Sequence, residues 1–144
     1  MDYIRYKGGY KYQLCKTYTV WTEIRPPRVI KTQFICLTPD GLLRIRRGYA
    51  WDGPSGPAID TPNFMRGSLV HDAFYQLMRE GYLDPEQYRR PADQLLRDIC
   101  IEDGMTRIRA CWVYLGVRFA SGPCASPAGI KPVCTAPGRS AREA

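Results

Sequence analysis

Ser68-Leu69-Val70-His71-Asp72-Ala73-Phe74-Tyr75-Gln76-Leu77-Met78-Arg79 contains the only histidine of a 144-residue chain. Val70, Phe74, Leu77 and Met78 recur at i, i+4, i+7 and i+8, which gives a helix an apolar stripe. Thr61-Pro62-Asn63 supplies a cap and a first-turn proline upstream, and Gly81 supplies a stop downstream. On that helix His71 and Tyr75 are four apart and project to one side. Asp72 points about 100° further round, toward a different neighbour. Histidine is the side chain that titrates near neutrality, so an imidazole base in this protein must be His71.

Two more helices follow. Asp84-Pro85 reads as a turn, and Arg89-Arg90-Pro91-Ala92-Asp93 leads into a second helix whose core side is Leu95, Leu96, Ile99 and Cys100, with Gly104 ending it. The short connection makes helices one and two antiparallel neighbours. Thr106 caps a third helix, expected to turn Ile108, Trp112, Leu115 and Phe119 inward and Arg107, Arg109 and Arg118 to solvent. Upstream, the even positions from Tyr10 to Val20 are mostly apolar and the odd ones mostly polar, the period of a strand with one buried face. Phe34 to Leu37 and Leu42 to Ile45 flank Thr38-Pro39-Asp40-Gly41, which has the turn chemistry of a hairpin. The fold class expected is α+β: a small N-terminal antiparallel sheet followed by a three-helix core with an antiparallel helix pair. Residues 1–120 read as a single domain, with 1–48 β-rich, 49–60 a Gly/Pro-rich loop and 61–120 helical. Residues 121–144, rich in Pro, Ala, Gly and Ser, read as a flexible tail or partner-binding arm.

Composition narrows the classes. Lys and Arg total 21 against 14 Asp and Glu, a net charge of +7 that favours anionic partners. No apolar run is long enough to span a bilayer. Charges near the N-terminus interrupt any secretory signal, so synthesis in a cytoplasm is expected. Six cysteines without a CxxC pair, beside one histidine, argue against structural zinc and for free thiols. No nucleic-acid recognition motif accompanies the basic charge.

The chemistry to explain joins the glycine- and proline-rich run Gly48 to Pro57, His71-Asp72-x-x-Tyr75, and Asp93. An imidazole base needs a partner that fixes its tautomer, and a carboxylate on the far ring nitrogen supplies it. Asp93 fits that part. No Gly-x-Ser-x-Gly elbow is present, so activated water is the simpler nucleophile. Asp72 and loop carbonyls could then hold Ca²⁺, a hard cation bound through oxygen, to polarise a carbonyl and stabilise the oxyanion.

The arrangement resembles the phospholipase A2 superfamily, particularly its cysteine-poor members and the lipase region of parvovirus capsid proteins. The segments that carry the likeness are Asp52-Gly53-Pro54-Ser55-Gly56, His71 to Tyr75, and Pro91-Ala92-Asp93. The resemblance implies His71 as base, Asp93 as its partner, Tyr75 hydrogen-bonded to Asp93, Asp72 as the Ca²⁺ carboxylate, and Tyr49, Trp51 and Gly53 as carbonyl donors. Three features depart from that pattern: strands precede the loop, flanking disulfides are absent, and the loop carries Pro54 and Pro57. Over residues 10 to 120 the chain also resembles the bacteriophage and prophage family called DUF1353, through Gly-Tyr-x-Trp-Asp-Gly-x-Ser-Gly-Pro, Leu-Val-His-Asp-Ala-x-Tyr, Arg-x-x-Ala-Asp and Tyr-x-x-Val-Arg. That likeness implies a phage origin and supplies no mechanism of its own. The function expected is a Ca²⁺-assisted phospholipase A2-like esterase acting on phospholipid at an anionic membrane surface. The alternative is a non-enzymatic virion or tail protein that keeps the helices as a scaffold among other phage structural proteins.

Overall fold

The computed structural model describes residues 4, 6–7, 12–52 and 61–120. The strands are β1 (Tyr6–Lys7), β2 (Tyr12–Leu14), β3 (Tyr18–Trp21), β4 (Ile30–Lys31), β5 (Ile35–Leu37), β6 (Leu42–Ile45) and β7 (Ala50–Trp51). They are followed by helices α1 (Pro62–Arg79), α2 (Pro85–Glu102) and α3 (Arg107–Ala120). The α+β architecture, sheet first and three helices after, is the one the sequence implies. Among the described residues the strands form two antiparallel sheets, in the orders β1-β2-β7 and β3-β6-β5-β4.

The hairpin expected across Thr38 to Gly41 joins β5 to β6, with Leu37 opposite Leu43. Gly41 sits at φ 93°, where an added Cβ would lie 2.1 Å from the Thr22 carbonyl oxygen, so only glycine fits this turn. The alternation from Tyr10 to Val20 does not make one strand. Cys15 and Lys16 bend the chain, and β2 and β3 join different sheets. Leu14 and Tyr18 nevertheless both face the core, because the break preserves the inward parity. The stretch expected as loop from residue 49 begins as strand β7, paired to β2 through Tyr12 and Trp51.

α1 is the central element. From Phe64 to Met78 every residue but Asp72 and Gln76 is buried. One core cluster unites Leu14, Leu37, Leu43 and Ile45 of the sheets with Leu69, Val70, Phe74, Leu77 and Met78 of α1. Thr61 and Gly81 bound this helix as expected, and the N–H of Tyr82 closes the last turn on the Leu77 carbonyl. Gly67 lets α2 approach closely: a Cβ there would meet Leu96 Cδ1 at 2.9 Å and Cys100 Sγ at 3.0 Å.

Two expectations about the later helices are corrected. α2 starts at Pro85, capped by the Asp84 carboxylate on the Glu86 N–H, and Pro91 lies inside it. The turn chemistry of Asp84-Pro85 was the helix start itself, and the proline within costs a single intrahelical donor. α3 is rotated by about half a turn from the expected orientation. Ala110, Val113 and Val117 face Phe64, Leu96, Cys100 and Met105, while Ile108, Trp112, Leu115 and Phe119 are exposed. This helix carries two apolar faces, and the one with smaller side chains packs against its neighbours. Cys15, Cys36, Cys100 and Cys111 are free thiols. Burial pushes the Cys100 thiol up to about 12. Residues 121–144 lie outside the described residues.

Candidate functional site

α1 and α2 lie side by side, which brings positions 71 and 75 of one opposite position 93 of the other. His71 Nε2 is 2.7 Å from Asp93 Oδ1, and the Tyr75 hydroxyl donates to the same oxygen at 2.6 Å. The two rings lie 4.1 Å apart, centroid to centroid. Asp93 is fully buried, and His71 is 8% exposed. The other carboxylate oxygen, Oδ2, accepts from Arg118 Nη1 at 3.0 Å, and Arg89 Nε stands 4.0 Å away. Arg89 also donates to the Arg118 carbonyl. The network therefore ties α1, α2 and α3 to one carboxylate.

Burial alone would push the Asp93 carboxyl up. The hydrogen bonds from His71 and Tyr75 and the ion pair with Arg118 outweigh it, and the group ends below the usual carboxylate range. An ionised carboxylate only accepts hydrogen bonds, so Nε2 of His71 carries the proton. In the neutral ring Nδ1 is then the basic nitrogen, and among the described residues it makes no hydrogen bond. Tyr75 is held in its neutral, donating form, first by burial and then by the Asp93 carboxylate.

Asp72 faces the other way. Its carboxylate accepts the backbone N–H of Asp52, and burial pushes its pKa up, with the Asp52 charge adding while His71 and Arg79 oppose. The Tyr49 side chain borders the same carboxylate, and burial followed by the Asp72 charge raises its hydroxyl pKa. Trp51 Nε1 donates to Ser68 Oγ at 3.1 Å, fastening β7 to α1.

The metal donors expected from the sequence fare unequally. Asp72 lies beside Asp52, a pair of carboxylates whose charge a hard cation would offset. The carbonyl of Tyr49 accepts the Leu14 N–H at 2.8 Å, which uses one of its two lone pairs. Trp51 belongs to β7, not to an open loop, and Gly53 lies outside the described residues. Among the described residues no three His, Cys, Asp or Glu side chains gather as ligands. Asp52 and Asp72 fit the chemistry of a Ca²⁺ site as part of its donor set.

Arg118 and Arg89 are the members that sequence reading assigned no role. Arg89 stands four residues before Asp93 on one helix, a pairing that spacing offers. Arg118 was expected in solvent, and only the Tyr-x-x-Val-Arg likeness hinted at it. A separate buried lock lies nearby: Arg66 holds Asp103 through two nitrogens and the Tyr18 hydroxyl through a third. Comparison with family models, curated proteins and solved structures found no match. The resemblances above therefore rest on the quoted residues alone.

Proposed function

We propose that the chain is a phospholipase A2-like esterase in which His71 activates water against an acyl ester of a phospholipid. The observation that carries this reading is Asp93 Oδ1, held at once by His71 Nε2 and the Tyr75 hydroxyl. This arrangement fixes the ring with Nδ1 as its available base. Water bonded to Nδ1 gives up a proton as its oxygen attacks the ester carbonyl. Asp93 stabilises the resulting imidazolium. As the tetrahedral adduct collapses, the acyl–oxygen bond breaks, the leaving alkoxide takes the proton from His71, and fatty acid and lysolipid are released. Asp72 and Asp52 would hold Ca²⁺, which supplies charge stabilisation to the oxyanion when bound. Fatty-acid release from phospholipid vesicles, assayed with Ca²⁺ and with chelator, tests the proposal. Release that requires Ca²⁺ supports it, and no release in either condition refutes it.

One observation favours the non-enzymatic alternative. Arg118 bonds the same carboxylate and Arg89 stands 4.0 Å from it, so the network also braces three helices, a role that needs no catalysis. On that reading, particles incorporate the protein equally well with His71→Ala. The phage association itself rests on the likeness to DUF1353.

A further inference from the structure

Ile108, Trp112, Leu115 and Phe119 are exposed by 75%, 70%, 40% and 85%. At 100° per residue they fall within about 60° of one another on α3, opposite the Ala110, Val113 and Val117 face. They form an unbroken stripe of roughly 16 Å along the helix axis. Arg107 and Arg118 flank the stripe on one side and Arg109 on the other. α3 carries these three arginines and no acidic residue. Single exposed apolar residues need no explanation, but a contiguous stripe with two large aromatics does.

We propose that this face of α3 docks onto an anionic phospholipid bilayer, with the four apolar side chains below the headgroups and Arg107 at their level. A helix lying in a membrane interface has this pattern: aromatic and aliphatic residues on one side, arginine or lysine along the borders. Charge separates the bilayer from other occupants. A second copy packed α3 against α3 would set arginines against arginines. The segment 121–144 carries Lys131, Arg139 and Arg142 against Glu143, the same sign again, with Ile130 and Val133 as its large aliphatic residues. An anionic lipid surface complements the arginines and accepts the whole stripe. The choice of lipid over other anionic surfaces rests on the phospholipase reading, whereas the docking face rests on α3 itself. Arg118 connects the two, since it holds Asp93 Oδ2 from the turn that ends in Phe119.

Flotation of the full chain with vesicles tests this in the presence of chelator, so that Ca²⁺-dependent hydrolysis is silent. Vesicles of phosphatidylcholine alone are compared with vesicles that also contain phosphatidylglycerol. The wild type floats with the anionic vesicles. Trp112→Ser with Phe119→Ser weakens that binding by about 100-fold, tenfold for each aromatic removed. Arg107→Glu, which leaves the stripe intact, weakens it by about tenfold. Unchanged thermal melting shows that each variant folds. Failure of the wild type to float overturns the inference, as does a double variant that floats equally well. A wild-type dimer that the double substitution turns into a monomer also overturns it, by naming a second copy as the occupant. Flotation without fatty-acid release upon added Ca²⁺ supports docking and counts against the esterase alone. Vesicle hydrolysis undiminished by the double substitution counts against docking alone.

Discussion

Replacing Asp93 with asparagine keeps the side-chain shape and removes its charge. Three donors converge on the carboxylate: His71 Nε2 and the Tyr75 hydroxyl on Oδ1, and Arg118 Nη1 on Oδ2. An amide has one acceptor oxygen. If it faces His71 and Tyr75, its NH₂ meets Arg118 donor to donor. If it faces Arg118, the NH₂ meets the other two. At least one interaction is lost in either case, along with the charge that Arg118 faces. Breaking a fully buried ion pair costs roughly 3 to 5 kcal/mol. Arg118 retains some exposure, and its released guanidinium can reach water, which places the expected loss at the lower end, about 3 kcal/mol. Urea unfolding monitored by circular dichroism at neutral pH measures it, with the slope m unchanged. The pH dependence supplies a second check. The folded pKa of Asp93 is depressed, so its stabilisation is present above the unfolded carboxylate value of about 3.9 and is lost as pH falls through the lower folded value. The gap between wild type and Asp93→Asn therefore narrows below about pH 4. A neutral-pH loss under about 1 kcal/mol, the scale of an exposed pair, would refute the view that Asp93 holds the helices together.

Asp72 carries the opposite sign. Its folded pKa is raised, so the stability it contributes is present at low pH and is lost as pH rises through the carboxylate range. Asp72→Asn should therefore raise the melting temperature at pH 7 without added metal and abolish stabilisation by Ca²⁺; calorimetry with and without Ca²⁺ reads both, and a lowered apo melting temperature contradicts the burial argument. Arg66→Met removes the buried guanidinium that Asp103 pairs with and should cost about 3 kcal/mol, whereas removing the exposed Arg97–Asp98 pair should cost under about 1 kcal/mol. Equal losses in chemical denaturation would contradict that contrast. Gly67→Ala forces Leu96 and Cys100 aside and should destabilise by about 1 to 3 kcal/mol in the same assay; a neutral effect would mean that α1 and α2 can separate freely.

Local chemistry made much of this fold legible. The Thr61 to Gly81 punctuation bounded α1 because a first-turn proline and a left-handed glycine act within a few residues, although the Thr61 side chain makes no cap hydrogen bond. Four-residue spacing put His71 and Tyr75 on one side of α1, but a short antiparallel connection leaves open which part of α1 meets Asp93, and only the phospholipase A2 likeness pointed to these contacts. The start of α2 was misplaced because proline both opens helices and interrupts them. Asp84-Pro85 and Pro91 offer that signal twice, and only packing distinguishes the two. The orientation of α3 was illegible for a deeper reason. Its two faces are both apolar, so periodicity identifies the helix but not which side meets Cys100. Arg118 was hidden by the same rotation, since its pairing with Asp93 spans 25 residues and depends on how α3 is turned.

The central claim is that His71, oriented by Asp93, activates water against a phospholipid ester. Fatty-acid release from vesicles by wild type and His71→Ala, in Ca²⁺ and at matched folded fractions, tests it most directly. Wild-type release should depend on Ca²⁺ and fall by at least about 100-fold when His71 is removed. Release that is absent from the wild type, or that persists unchanged in His71→Ala, would contradict it.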